Sequence, residues 1–359
     1  MKFKIINSQK VKPANIKVIG IGGGGGNAVN RMVISNVKGV RFISANTDAD
    51  ALKKSLAETK IQLGPKLTKG LGSGAKPDVG KRATEESAET IRQVLQGTDM
   101  LFVTAGMGGG TGTGGSPVVA GIAKSLGILT VGVVTKPFMW EGKLKMTMAE
   151  QGISELKQQC DALIEIPNQR LAALSDEKTL AAKSYEKADD VLKRAVQSIS
   201  DVITTYGEIN VDFQDVKTVM QTAGRAMLGF GEATGEDRAT VATNMAITSP
   251  LLENESIRGA KGVLVNITGS ANSLKMAEIN EAMTLIHGEI SPDAQVIFGQ
   301  VYEDDLNDKI KITVIATGFS GAEKQEKSKS EASSYPMAGE TDLSIPAWLR
   351  NKSRARKVI

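Results

Sequence analysis

The segment Met100-Leu101-Phe102-Val103-Thr104-Ala105-Gly106-Met107-Gly108-Gly109-Gly110-Thr111-Gly112-Thr113-Gly114-Gly115 runs from apolar to glycine-rich without a break. A short apolar run ending in glycine reads as a buried strand of a parallel sheet. The glycines beyond it let the backbone approach a ligand closely and turn its N–H groups inward, as loops that cradle phosphate do. The same junction occurs upstream, where Ile16-Lys17-Val18-Ile19 leads into Gly20-Ile21-Gly22-Gly23-Gly24-Gly25-Gly26-Asn27. Each run opens a helical pattern. A third glycine-bearing stretch, Lys69-Gly70-Leu71-Gly72-Ser73-Gly74-Ala75-Lys76-Pro77, lies between them. Three such loops point to one bound polyphosphate.

Along the first half of the chain, apolar runs at 16–20, 40–45, 100–105, 128–134 and 161–166 alternate with helical patterns such as Asn27 to Val37 and Lys81 to Gln96. That alternation predicts an α/β unit, a Rossmann-type parallel sheet with helices on both faces. Ligands of such sheets bind at the carboxyl ends of the strands, where both glycine runs and Asn46-Thr47-Asp48 fall. Ser184 to Tyr206 reads as one long helix with Val191, Leu192, Ala195, Ile199, Val202 and Ile203 on its apolar face. A second helix follows from Phe213 to Thr222. Strand patterns near 225–230, 262–268, 294–300 and 309–317, with helices near 236–247 and 274–287, predict a smaller α+β domain. The long helix joins the two.

The 359 residues are enough for two cores, and 41% hydrophobic with 23% charged residues is the composition of a globular protein. A net charge of +4 is too small to argue for nucleic-acid binding. No apolar stretch approaches ~18 residues, so no transmembrane insertion is expected. The single cysteine, Cys160, rules out an internal disulfide and fits a reducing, cytoplasmic setting. Residues 320–340 are rich in Ser, Lys, Glu, Ala and Gly and read as a disordered linker, spanning about 25 Å as a coil. Beyond it, Asp342-Leu343-Ser344-Ile345-Pro346-Ala347-Trp348-Leu349-Arg350 has apolar side chains but no core to enter, the mark of a partner-docking peptide.

Two nucleotide classes compete for the glycine loops. The first run satisfies G-x-G-x-x-G, with Asp48 near the place of a ribose-binding acid, as in an NAD-dependent oxidoreductase. Such an enzyme has no use for the second, longer loop with its threonine hydroxyls. No G-x-x-x-x-G-K-[ST] occurs, which excludes a P-loop protein. The run Gly108 to Gly114 is the tubulin signature G-G-G-T-G-T-G. Around it stand Gly22 to Asn30, Asn46-Thr47-Asp48, Thr135-Lys136-Pro137-Phe138, Ile166-Pro167-Asn168 and Asn210-Val211-Asp212-Phe213-Gln214-Asp215. Over residues 15–318 and the tail peptide the chain resembles the FtsZ family of tubulin-like GTPases, which assemble into the bacterial division ring.

That resemblance implies a tubulin-like fold with an N-terminal extension (1–15), a GTP-binding domain (16–183), a central helix with its acid-bearing loop (184–222), an α+β domain (223–318), a linker (319–341) and a partner-binding tail (342–359). It implies GTP and GDP as ligands, with Mg²⁺ carried by the nucleotide. Gly23, Gly24, Gly25, Gly26 and Asn27, with Gly108, Gly109, Gly110, Thr111, Gly112 and Thr113, would wrap the phosphates. Gly74 and Ala75 would lie near the γ-phosphate, and Arg31 and Asp48 at the same site. Glu141 would hold the ribose. Asn27, Asn168 and Asp189 would read guanine, beside a stacking Tyr185. A carboxylate at Asp189 suits guanine because it accepts from N1–H and the 2-amino group together. Lys145 stands where many relatives carry Arg, keeping the charge but losing the bidentate fork.

The resemblance further implies head-to-tail polymerisation, with Asn210, Asp212 and Asp215 as catalytic residues reaching into the GTP site of the next subunit. Locally, Asp212 and Asp215 before a helix are equally the pattern of an N-cap with a favourable first-turn acid. The tail residues Asp342, Leu343, Ile345, Pro346, Trp348, Leu349 and Arg350 would bind membrane-tethering division proteins such as FtsA, at a division site beneath the membrane. A structural relative that binds GTP without turnover remains the alternative within the family. His287 and Cys160 read as structural, and no resident metal site is expected.

Overall fold

The computed structural model describes residues 13–173, 181–204, 211–221, 224–249 and 257–319. Its first half runs β1 (Ile16–Ile21), α1 (Gly22–Ile34), β2 (Val40–Asn46), α2 (Ala49–Lys53), β3 (Thr59–Gln62), α3 (Pro65–Thr68), α4 (Pro77–Glu86), α5 (Ala88–Leu95), β4 (Met100–Gly106), α6 (Thr111–Ser125), β5 (Leu129–Lys136), α7 (Lys143–Lys157) and β6 (Ala162–Pro167). Next come α8 (Asn168–Ala173), α9 (Ala181–Thr204) and α10 (Phe213–Gln221). The second half is β7 (Gly224–Ala233), α11 (Arg238–Ile247), β8 (Gly262–Gly269), α12 (Met276–Glu289), β9 (Gln295–Tyr302) and β10 (Ile310–Thr317).

Strand order across the sheet is β3-β2-β1-β4-β5-β6-β7-β10-β8-β9. The first six strands are parallel. The order reverses between β1 and β4, and at such a switch point the two crossovers leave on opposite faces and open a crevice above the strand ends. Alternation along the strands sorts their side chains. Ile16 and Val18 of β1 and Phe102 of β4 pack with Met32 of α1 and Leu192 of α9 on one face. Ile19, Leu101 and Val103 pack with Ile91, Val119 and Leu156 of α5, α6 and α7 on the other. Each large side chain buried this way contributes about 1.5–3 kcal/mol.

In the second half β10 is antiparallel to β7 and β8, and β8 is parallel to β9. Three residue pairs between β6 and β7 make this mixed sheet continuous with the first. α11 and α12 cover one of its faces, through Ala242, Ala246, Ile279 and Ile286. α9 covers the other: the core that takes in Val191, Ala195 and Ile199 of this helix also takes in Leu228, Leu264, Ile297 and Ile315. The apolar stripe at i, i+4 and i+8 explains why one helix can seal both halves.

Some elements differ from the sequence pattern. Gly22 to Gly26 of the first run are already helical, and α1 ends at Ile34, ahead of Asn36 at φ 53°. The single helix expected over 81–96 is two, α4 and α5, broken at Ser87. The Ser87 hydroxyl accepts from Gly64 N at 3.0 Å and donates to Gln62 O at 3.3 Å, tying the break to β3. Among the described residues no helix is long and apolar enough to cross a membrane. The linker and tail peptide lie outside the described residues.

Candidate functional site: a nucleotide cavity at the switch point

β1 passes into α1 at Gly22, whose φ of +71° is the left-handed conformation that glycine alone adopts without strain. α1 and α6 both begin at the crevice, and their starts nearly touch. A Cβ on Gly22 would stand 3.0 Å from Gly112 N, and one on Gly24 would stand 3.1 Å from the Gly106 backbone. Neither helix has a side-chain N-cap. Their first-turn N–H groups and the positive ends of their dipoles therefore converge on one place, which suits the oxygens of a phosphate chain.

A cavity of about 490 Å³ opens there. Its phosphate end is lined by Gly23, Gly24, Gly109, Gly110, Thr111 and Gly112. The loop between α3 and α4 closes over it. Ser73 Oγ lies 3.1 Å from Thr111 Oγ1, which is also 2.7 Å from Thr47 Oγ1. Only a glycine fits at 110, because a Cβ there would run into Ser73 Oγ and the Lys76 backbone. The same loop turns through left-handed residues at Gly72, Gly74 and Ala75.

The wider end is lined by Asn27 of α1, Glu141, Lys145 of α7, Asn168 of α8, and Tyr185 and Asp189 of α9. Glu141 is held from both sides: Phe138 N donates to its Oε1 at 3.0 Å, and Lys145 Nζ donates to Oε2 at 2.6 Å. Asn168 Oδ1 is buried and has no hydrogen-bond partner, so an acceptor faces the cavity unsatisfied. Burial pushes the Asp189 carboxyl up to about 6, opposed by the Arg31 guanidinium and reinforced by Glu186. Arg31 Nε is 3.7 Å from Asp189 Oδ2. Tyr185 stands at the rim, edge-on to Phe138 and Trp140 with ring centroids 5.4 and 6.2 Å away.

Several expected residues lie elsewhere. Gly25 is buried against Thr104 and Gly20, where it lets α1 lie on the strands. Gly26 faces Ser44, and Gly74 and Ala75 are exposed beside Ser73 rather than in the cavity wall. Gly108 N donates to Thr113 Oγ1 at 2.8 Å, so that hydroxyl serves the turn. Asp48 is not brought into the cavity; its Oδ1 caps α2, accepting from Asp50 N at 2.9 Å and Ala51 N at 3.1 Å. Arg31 reaches the site only through Asp189 and the adjoining groove.

Asp212 and Asp215 are exposed and do not line this cavity. Asp212 Oδ1 accepts from Gln214 N at 3.2 Å, capping α10. α10 feeds β7, whose Gly224 pairs with Ala162, the first residue of β6. The end of α9, where Thr204 packs on Gly39 and Ser200 Oγ donates to Lys38 O at 3.3 Å just ahead of β2, and the end of α10 that leads into β7 both lie at the amino edge of the parallel sheet, whereas the cavity lies at its carboxyl edge. Between the two edges runs α9, 24 residues or about 36 Å long. Asn210 lies outside the described residues.

Ser73, Gly106, Met107, Thr135, Pro137, Ala188 and Leu192 also line the cavity but were not expected there. Ser73 and Thr135 sit within stretches the sequence had marked. Ala188 and Leu192 carry no such signal, since they share the apolar stripe of α9 with its core residues. Cys160 is buried, and burial pushes its thiol up to about 12, an inert state. His287 is exposed in the last turn of α12. Among the described residues no group of three or more His, Cys, Asp or Glu is arranged to hold a metal ion.

Residues 15–176 match the Tubulin/FtsZ family, GTPase domain, and residues 224–320 match the FtsZ family, C-terminal domain. An FtsZ from M. jannaschii, solved as an empty dimer, is 41% identical; the match covers 86% of this chain and 89% of that one, with a TM-score of 0.81. A tryptophan-to-tyrosine mutant of M. jannaschii FtsZ matches at 41% identity, with coverage of 86% and 92% and a TM-score of 0.81. CetZ2 from Haloferax volcanii, solved as a GTPγS-bound protofilament, shares the fold at 20% identity, with coverage of 86% and 94% and a TM-score of 0.70. Two helix N-termini converging on a phosphate-sized crevice, and family matches on both halves of the sheet, lead to one conclusion: the chain belongs to the FtsZ family of tubulin-like GTPases.

Proposed function

We propose that this GTPase polymerises head to tail, and that its hydrolysis site is complete only where one subunit meets the next. The observation that carries this reading is that Asp212 and Asp215 do not line the cavity, and that α9, which does line it near one end, leads away to the amino edge of the sheet before the acids follow in the chain. Within one chain no residue of α10 lines the cavity. A translated copy can present its own α10. Such a heterologous contact does not close, and its repetition gives a filament.

In this reading α1 and α6 hold the phosphates with backbone N–H groups, Glu141 takes the ribose diol, and Asn27, Asn168 and Asp189 take guanine. Asp212 and Asp215 of the neighbouring copy orient the attacking water and accept its proton, with Asn210 as the third catalytic residue. The hydroxyls of Thr111 and Ser73, without a carboxylate cluster, fit a Mg²⁺ that arrives on the nucleotide and supplies charge neutralisation. The tail peptide, with Trp348 as its aromatic anchor, would tie filaments to a membrane-tethering division protein such as FtsA. The division ring at the cytoplasmic face of the membrane is then the setting.

Complementation tests the shared site. Asp215→Ala keeps a sound cavity and lacks an acid, whereas Gly23→Val, at a cavity-lining position where an added Cβ meets no protein atom within 4 Å, adds bulk at the cavity and keeps both acids. Each alone should be inactive. An equimolar mixture that pellets together should turn over GTP at about a quarter of the wild-type rate, the share of random contacts that pair a sound cavity with sound acids. A co-pelleting mixture no more active than its components contradicts the proposal.

A further inference from the structure

Beside the nucleotide cavity, and sharing Asn27, Tyr185 and Asp189 with it, lies a groove lined also by Asn30, Arg31 and Glu186. Arg31 projects from α1 between two acids of α9. Its Nε is 3.7 Å from Asp189 Oδ2 and its NH2 is 3.8 Å from Glu186 Oε1. Both are ion-pair distances too long for a hydrogen bond. Arg31 Nε is nevertheless buried, and it has no hydrogen-bond partner. A guanidinium half-withdrawn from water and held short of either acid is poised to tighten on one of them.

We propose that Arg31 is a positioning residue for base selection, keeping the Asp189 carboxylate charged and aligned so that it accepts from both N1–H and the 2-amino group of guanine, with Glu186 competing for the same guanidinium. The inference rests on the reading of Asp189 as the base-contacting acid. A protonated Asp189 presents an O–H where guanine presents N–H, and two donors facing each other repel. Adenine, which offers an acceptor at N1, gains from that same proton. The charge state of Asp189 therefore decides which purine fits.

The surroundings of Asp189 define what can set that charge. Arg31 from α1 and Glu186 from α9 act on it directly. Asp190, its neighbour on α9, is engaged by Lys193 at 2.6 Å and Arg194 at 2.7 Å. Asn168 of α8 is uncharged, and the Glu141–Lys145 pair elsewhere in the cavity is self-compensating. Burial raises the Asp189 carboxyl to about 6, with Arg31 holding it down and Glu186 pushing it up. Because guanine binds the charged form, affinity should be flat above that point and fall as protons are added below it.

The test measures GDP and ADP binding to the full chain from pH 5 to 8, in wild type and in Arg31→Gln, Arg31→Lys, Glu186→Gln and Asp189→Asn. In Arg31→Gln the midpoint of GDP affinity should move up by about one to two pH units, lowering GDP affinity roughly two- to tenfold at pH 7 while ADP affinity holds or rises. Arg31→Lys should restore the wild-type midpoint. Glu186→Gln should move it down, which a merely structural role for the groove would not do. A midpoint unmoved in Arg31→Gln, or moved up in Glu186→Gln, overturns the proposal while Asp189→Asn still abolishes the preference for GDP. If Asp189→Asn keeps that preference, the reading of Asp189 itself fails.

Discussion

Gly23 and Gly25 stand two residues apart in the same run and do different things. A Cβ on Gly25 would meet the carbonyl oxygen of Thr104 and stand 2.9 Å from Gly20 C, both backbone atoms of buried strands that cannot yield. Gly25→Ala should therefore destabilise the fold by about 1–3 kcal/mol, the usual cost of overpacking, read by denaturant unfolding. A Cβ on Gly23 would meet nothing within 4 Å, yet the residue lines the cavity. Gly23→Ala should leave unfolding unchanged and weaken GDP binding. The opposite pairing of effects would contradict the assignment. Sequence alone could not separate these two glycines, because a glycine needed for a ligand and one needed for a close helix–strand contact are written the same way. Asp48 shows the converse: its place after β2 fitted a ribose acid, but its carboxylate serves the N–H groups of Asp50 and Ala51 as a cap.

At the level of elements, α9 lines the cavity with Tyr185, Ala188, Asp189 and Leu192 near one end and leads towards α10 at the other, and in its last turn it half-buries a carboxyl. Asp201 is raised to about 7, first by burial and then by Glu303, against the hydrogen bond from Gln197 and the charge of Lys311. The group is protonated in the folded chain at pH values where the unfolded chain has lost that proton. Its contribution to stability is present below about pH 4 and is lost as pH rises through 7. Asp201→Asn should accordingly stabilise the protein at pH 8 by about 1 kcal/mol or more, and by less at pH 5. An equal effect at both pH values would contradict this. α9 itself was legible because its apolar stripe runs unbroken along the helix. The short β3 and the break at Ser87 were not: four residues carry too little periodicity, and the break comes from a contact with Gly64 and Gln62 more than twenty positions away. The glycine loops identified the phosphate end for the same reason that α9 was clear, since their signal is local. The other end of the cavity is lined by Ala188 and Leu192, whose apolar pattern is that of any core residue.

For the whole molecule, the continuous sheet sets a direction. Parallel strands put the glycine-rich starts of α1 and α6 on one edge, and the end of α10 that leads into β7 lies at the other, alongside the start of β6. Asp215→Ala should abolish GTP turnover without weakening GDP binding, since the residue does not line its own cavity; turnover unchanged would discard the role. Bound nucleotide should raise the thermal midpoint of the monomer by simple linkage. The most direct test of the central claim is GTP turnover per subunit measured across a dilution series, with pelletable polymer assayed in the same samples. A site shared between subunits predicts a threshold below which both vanish and above which they rise together. Turnover per subunit that stays constant down to dilute monomer would contradict it, and would mean that each chain completes its own hydrolysis site.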